Sequence, residues 1–282
     1  MSRQVATMAE SKRNPQFTSL TEALATIDRT VEPVAPVEQD LGAALGHTLA
    51  ADAGPDNARR LTGARLRRID LALLALLKVE RVAIRTPRML IVRTGKSSNI
   101  AETVCRLIGG AIEGEGGVAS IEANPLDAAL NHEDCHAVIA IGGDADLRML
   151  ANVGQTEFDG VALSPGGPIA FGNANARPVL LLPDRIESAL AAWLTLGRRL
   201  LARLAFRLIE EQPYLLELAR PITSARGQAE VIPVRRRAAQ VEPLAGSDWT
   251  AQTIARAEGW ILVPAESDGY PAGTKVQMRT WL

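Results

Sequence analysis

Apolar positions along this chain recur at two different spacings, and the spacing divides the chain into regions. Ser19 and Glu22 make a capping-box pattern ahead of Leu20, Ala23, Leu24 and Ile27, which repeat at the three-to-four-residue interval of a helix. Pro33 and Pro36 break that helix. Residues 41–51 predict a second helix. Beyond Gly54-Pro55-Asp56-Asn57, residues 66–77 predict a third that is apolar on most faces. The polar residues 1–17 ahead of all this read as a mobile tail.

From residue 87 the pattern changes. Residues 89–92, Met-Leu-Ile-Val, form a short continuous apolar run of the kind found in strands buried on both faces. A turn at 94–98 then leads into a helix marked by Ile100, Val104, Leu107 and Ile108, expected to end at Gly109-Gly110. Strands are predicted at 118–121, 137–141, 161–163 and 179–182, with helices at 126–130, 147–151 and 186–209. Such alternation implies an α/β fold with a parallel-rich sheet covered by helices on both faces. Ligands in such sheets sit beyond the carboxyl ends of the strands. After Pro213 short apolar runs at 215–218, 229–234, 238–241, 260–263 and 275–279, punctuated by Pro and Gly, predict a small separate β domain or barrel. The domain reading is therefore a tail at 1–17, a helical segment at 18–86, an α/β domain at 87–211 and a β domain at 212–282.

Bulk properties narrow the partners. The 282 residues carry 31 basic and 32 acidic side chains, a formal charge of −1, which gives no electrostatic reason to expect nucleic acid or an anionic membrane. Two cysteines, Cys105 and Cys135, imply no disulfide framework, and the polar amino terminus lacks the apolar core of a signal peptide, so a cytoplasmic location is expected. The greasiest stretch, 186–209, is interrupted by Arg198, Arg199, Arg203 and Arg207 and reads as a buried or amphipathic helix.

The candidate chemistry lies at the predicted strand ends. Thr94-Gly95-Lys96-Ser97 mimics the end of a P-loop, but the glycine needed five positions before Gly95 is Leu90, inside the strand. Ser97, Ser98 and Asn99 then either hold an anion on free helix N–H groups or simply cap the helix. Gly142-Gly143 follows a buried strand and would let a ligand approach the backbone. The carboxylates of Asp144 and Asp146 repel phosphate there, and a tight turn capped by Asp144 is the simpler reading. Ser164-Pro165-Gly166-Gly167-Pro168 and Leu182-Pro183-Asp184-Arg185 are turns of the same kind. His132, Cys135 and His136 match no zinc-ligand spacing. Arg235-Arg236-Arg237 reads as a solvated strand edge.

Taken in order, several of these segments resemble the MoeA/gephyrin E-domain family, proteins that load molybdenum onto molybdopterin. SLTEALATIDRTVEPV and LGAALGHTLAAD are similar to its opening helical segment, and RTPRMLIVRTG to the strand entering its molybdopterin-binding subdomain, where the family reads T-G-D-E-L. AVIAIGGDAD resembles its G-G-x-S-x-G turn. The stretch from Phe158 to Trp193 follows its K-P-G-K-P and L-P-G-N-P loops, and GSDWTAQTIARAEGWILVPAESDGYPAGTKVQM follows its carboxy-terminal β domain. The resemblance implies a three-layer MogA/MoeA-like molybdopterin-binding domain, preceded by a helical segment and followed by a small β domain. It also implies molybdopterin or molybdenum cofactor as ligand, a homodimer, and a molybdoenzyme or cofactor-biosynthesis protein as partner. The positions that still match the family's loops are Thr94, Gly95, Ser98, Asn99, Gly142, Gly143, Pro165, Gly166, Pro168, Pro183 and Ser188.

Two departures shape the functional expectation. Between Asp52 and Gly63 the family carries an extra β domain of roughly a hundred residues, a common domain size, and about ten stand here. The Asp and Glu of T-G-D-E-L are absent, both lysines of K-P-G-K-P are replaced by Ser164 and Gly167, and Asp184-Arg185-Ile186 stands for Gly-Asn-Pro. Phosphate binding wants backbone N–H groups and cations, and these exchanges run the other way. The expectation is a non-catalytic or altered cofactor-binding accessory protein. The alternatives are a molybdenumtransferase of reduced form and a scaffold that binds no pterin.

Overall fold

A computed structural model describes residues 17–53, 62–94, 99–207 and 213–282. The mobile tail expected at 1–17, apart from Phe17, and the Gly54–Asn57 linker lie outside those residues, as do Gly95, Lys96, Ser97 and Ser98.

The amino-terminal region opens with helix α1 (Leu20–Thr30), whose cap is the predicted one: the Ser19 hydroxyl accepts from the Glu22 N–H at 3.2 Å. The second predicted helix does not form. Its place is taken by strand β1 (Val37–Asp40), a single 3₁₀ turn and strand β2 (Thr48–Leu49). Gly46 has φ +84, a left-handed conformation that ends any helix there. Leu49 then bonds across to Ala64 (2.9–3.0 Å bonds run from Gly46, Leu49 and Leu66 in this ladder). Helix α2 (Arg68–Leu76) follows as expected, and strand β3 (Arg81–Arg85) completes an antiparallel sheet of order β1-β3-β2. Leu41, Leu49, Leu66, Leu74, Val82 and Ile84 bury between α2 and this sheet.

The central layer is a six-stranded sheet. It contains β4 (Arg88–Arg93), β5 (Val118–Glu122), β6 (Ala137–Ile141), β7 (Gly154–Asp159), β9 (Ala170–Ala174) and β10 (Arg177–Leu182), with the two-residue strand β8 (Leu163–Ser164) placed elsewhere. The order is β5-β4-β6-β10-β9-β7; all strands run parallel except β9, which pairs antiparallel with β10 and β7. Alternation along single strands sorts the core into two faces. Met89, Ile91, Ile139, Ile141, Leu180 and Leu182 join one cluster, and Leu90, Val92, Val138, Ala140, Val179 and Leu181 the other. The first face is covered by α1, α3 (Asn99–Gly114), α6 (Ile186–Ala192) and α7 (Arg198–Leu204); the second by α4 (Leu126–Leu130) and α5 (Asp144–Val153). The expected three-layer α/β architecture is thereby present.

Two helical expectations change in detail. α3 runs through Gly109-Gly110 rather than stopping there. A Cβ at Gly109 would lie 3.3 Å from Ile121 Cδ1, so this glycine lets the helix press onto the sheet. The long helix predicted at 186–209 is α6 and α7 joined by a π turn at Trp193–Gly197, and it ends at Leu204. The fully buried Trp193 ring lies where a Cβ at Gly197 would be, 2.2 Å away, so ring and glycine occur together.

The carboxy-terminal strands are β11 (Tyr214–Leu218), β12 (Ile222–Thr223), β13 (Ala229–Arg237), β14 (Gln240–Pro243), β15 (Gly259–Val263), β16 (Gly269–Tyr270) and β17 (Lys275–Thr280), with helix α8 (Ala251–Arg256) between β14 and β15. Pairing runs β14-β11-β17-β15-β13 and returns to β14, closing a small barrel around Ile232, Val234, Val241, Ile261, Val263 and Val276. Arg235–Arg237 stay an edge: β15 pairs with β13 only as far as Val234, so these residues pair with β14 alone, Arg236 and Arg237 are exposed, and Arg235 and Arg237 each reach the Glu242 carboxylate, at 2.9 and 3.2 Å. The barrel packs against the central domain. β8 adds to it in parallel alongside β13, and Val231 and Trp260 join the same core as the central sheet.

Candidate functional site

The site begins where β4, β6 and β10 end side by side. Register aligns Arg93 with Ile141 and Leu182 with Ile141, so Thr94, Gly142 and Pro183 emerge at one level. Backbone bonds tie these exits together: Thr94 N–H donates to Ile141 O at 3.2 Å and Gly142 N–H to Leu182 O at 3.1 Å. The 164–168 loop is drawn in beside them. Ser188, 1% exposed, donates its hydroxyl to Gly166 O at 2.7 Å, and a Cβ at Gly167 would touch Pro183 Cβ at 3.2 Å. The Ser164–Pro165 bond is cis. Thr94, Gly142, Gly143, Pro165, Gly166, Pro168, Pro183 and Ser188 thus lie along neighbouring strand ends, and Asn99 starts α3. Gly95 and Ser98 lie outside the described residues.

The Gly142-Gly143 turn is closed on itself. Asp146 Oδ2 accepts from the Thr94 hydroxyl at 2.5 Å and from the Gly143 N–H at 3.1 Å. Gly143 is the cap of α5, and the side chain that satisfies its amide is Asp146, where Asp144 was expected to do so. A Cβ at Gly142 would lie 2.0 Å from Asp146 Oδ2 and 2.1 Å from Thr94 Oγ1. These glycines therefore make room for the chain's own carboxylate. That carboxylate sits at the positive end of a helix, where an external anion would otherwise bind.

Open space lies one loop further on. A cavity of about 640 Å³ is lined by Phe17, Leu163, Gly166, Gly167, Arg226 and Gln228 among others. Gly142 is not in its wall, so the candidate residues are neighbours along the strand ends without all facing one hollow. Arg226 is the charged side chain in this lining. It is largely exposed and pairs with Asp268 at 3.2 Å. Arg185, the cation suggested by the LPDR turn, instead holds Glu187, with Nε 2.8 Å from Oε1. Arg226 and Gln228 were missed by sequence reasoning because they belong to the β barrel; the signal available was the turn-forming Arg226-Gly227, with Gly227 at φ +100.

The His132-Cys135-His136 run disperses. His136 Nδ1 accepts from the Arg88 N–H at 2.8 Å, Cys135 Sγ lies 3.5 Å from an Arg177 nitrogen, and His132 Nε2 is 3.5 Å from Glu122. Burial pushes both cysteine thiols up from their ordinary value, so neither is an activated thiolate.

Residues 216–281 match the model of the MoeA C-terminal region, domain IV. The chain is MoeA-like. A protein of Methanocaldococcus jannaschii, named provisionally for molybdopterin biosynthesis, is 28% identical over 162 residues; the match takes in 54% of this chain and 38% of that protein, so the chain spans well under half of its relative's length. A molybdenum cofactor biosynthesis protein from Pyrococcus furiosus superposes with a TM-score of 0.79 at 20% identity, over 94% of this chain and 100% of that one. A molybdopterin biosynthesis MoeA protein from Pyrococcus horikoshii gives 0.77 at 16% identity, again over 94% and 100%. At these identities the superpositions establish the fold. In this MoeA-like chain no helix among the described residues is long and apolar enough to cross a membrane.

Proposed function

We propose that this MoeA-like chain is an accessory protein of molybdenum-cofactor biosynthesis, one that holds molybdopterin or molybdenum cofactor without inserting metal. The relatives' names support the pathway, and a 640 Å³ cavity with Arg226 on its wall supports a ligand bearing a phosphate. The observation that carries the altered chemistry is Asp146. Its carboxylate takes the Gly143 N–H and the Thr94 hydroxyl, the donors that a phosphate or an inserted oxyanion would need at that strand end. Gly166 then lies on the cavity's wall, Ser188 holds it there through its carbonyl, and Pro165, Pro168, Pro183, Thr94, Gly142 and Gly143 belong to the neighbouring strand ends. In this reading the chain acts in the cytoplasm as a homodimer and passes cofactor to a molybdoenzyme or to another biosynthesis protein.

Calorimetric titration of the purified chain with molybdopterin tests the reading. Saturable binding near one ligand per chain, weakened in R226A, is expected. Absence of binding would leave the scaffold alternative in its place.

A further inference from the structure

A smaller hollow of 230 Å³ also touches the 164–167 loop, lined by Ser164, Thr223, Ser224, Gln228, Glu230 and Ser247. Its walls are hydroxyls, one amide and one carboxylate. Glu230 is 7% exposed, and its carboxylate has no hydrogen-bond or ion-pair partner among the described residues. The Ser224 hydroxyl is likewise buried without a partner. Ser164 and Glu230 are register partners on β8 and β13, so the loop and the barrel present them side by side. The carboxylate therefore opens onto this hollow with no donor from the described residues, and a buried hydroxyl without a partner beside it is uncommon in a folded interior. A carboxylate is best satisfied by two parallel N–H groups in one plane, the arrangement offered by a guanidinium or by the amino and ring N–H of a 2-amino-4-oxopyrimidine.

We propose that Glu230 and Ser224 form a subsite for the planar N–H pair of a 2-amino-4-oxopyrimidine ring, the edge that a pterin presents. The assignment rests on the pterin reading above. Gln228 lines both hollows, as does the 163–167 strand end. One ligand can therefore place its ring against Glu230 and its anionic group towards Arg226.

The test is a fluorescence titration of the wild-type chain and E230Q with pterin itself, which has no phosphate, and with lumazine, in which a carbonyl replaces the 2-amino group. The wild type is expected to favour pterin over lumazine by about tenfold or more, and E230Q to lose that preference, because glutamine turns one acceptor into a donor facing a donor. E230Q is also expected to melt no lower than wild type, since Glu230 makes no bond to the described residues that the amide would lose; a marked loss of stability would mark Glu230 as structural and overturn the proposal. Equal binding of pterin and lumazine by the wild type, or an unchanged preference in E230Q, would overturn it as well. If molybdopterin still binds in either of those cases, the subsite alone fails. If molybdopterin does not bind at all, the pterin reading fails with it.

Discussion

Asp146 offers a perturbation whose two effects have opposite signs. Its Oδ2 accepts from Thr94 Oγ1 at 2.5 Å and from Gly143 N–H at 3.1 Å, and the side chain is partly exposed. Truncation in D146A removes a helix cap of the kind worth about 0.5–2 kcal/mol. Solvent reaches the turn and offsets part of the loss, so about 0.5–1 kcal/mol is expected. At about 2–4 °C per kcal/mol, that lowers the melting temperature by about 1–4 °C. The same change frees two donors at the start of α5 and deletes a negative charge. One unit charge about 4 Å from an anion is worth about 1–4 kcal/mol between aqueous and surface-like permittivity. Exposure favours the lower part of that range, about 1–2 kcal/mol, so inorganic phosphate should bind roughly 5–30-fold tighter. D146N separates the contributions: asparagine keeps the cap, so stability stays near wild type while only the charge effect on phosphate remains. Urea unfolding and phosphate titration of the three proteins make the measurement. If D146A bound phosphate no more tightly than wild type, the idea that Asp146 occupies an anion position would be refuted.

Further predictions follow from the same contacts. Glu115 bridges Arg198 and Arg207, each at 2.6 Å, with all three side chains 13–15% exposed; E115A removes that carboxylate while Arg198 keeps Thr280 O and Arg207 keeps Glu115 O, and should cost about 1.5–3 kcal/mol in urea unfolding. S188A loses the buried bond to Gly166 O and should cost about 0.5–1.5 kcal/mol, with faster amide exchange confined to the 164–168 loop. His136 is held below its ordinary value of 6.5, first by burial and then by Arg88. Since the unfolded chain binds that proton more readily, this residue's contribution is intact above pH 6.5 and is lost as pH falls below it, at no more than about 1.4 kcal/mol per pH unit. In H136N, whose amide oxygen can still accept from Arg88, chemical denaturation at pH 5.5 and 7.5 should show a smaller difference than in wild type.

The pattern of apolar positions made the central sheet legible because its strands are buried on both faces and read as unbroken runs: 89–92, 137–141 and 179–182 fall inside β4, β6 and β10. β7 and β9 were not legible, since Gly154–Asp159 is mostly polar and Ala170–Ala174 contains Gly172, which lies against Gln155 O with no space for a side chain. β3 could have been read from the alternation of Val82 and Ile84 with arginines. At the site, the candidate residues came from the loops that resemble the MoeA family's, and the glycines and prolines among them mark the ends of strands. What sequence could not supply was the fold-back of Asp146 onto Thr94, 52 residues away, or the approach of Arg226 and Glu230 to the 164–167 loop, because those contacts exist only after the barrel docks.

The proposed function requires that this chain hold pterin beside its strand ends without putting metal on it. Elemental analysis addresses it directly: the chain is loaded with molybdopterin, incubated with molybdate, freed of unbound molybdate and assayed for molybdenum per bound pterin. Bound pterin with molybdenum at background is the expected outcome. Stoichiometric molybdenum retained on the pterin would contradict it.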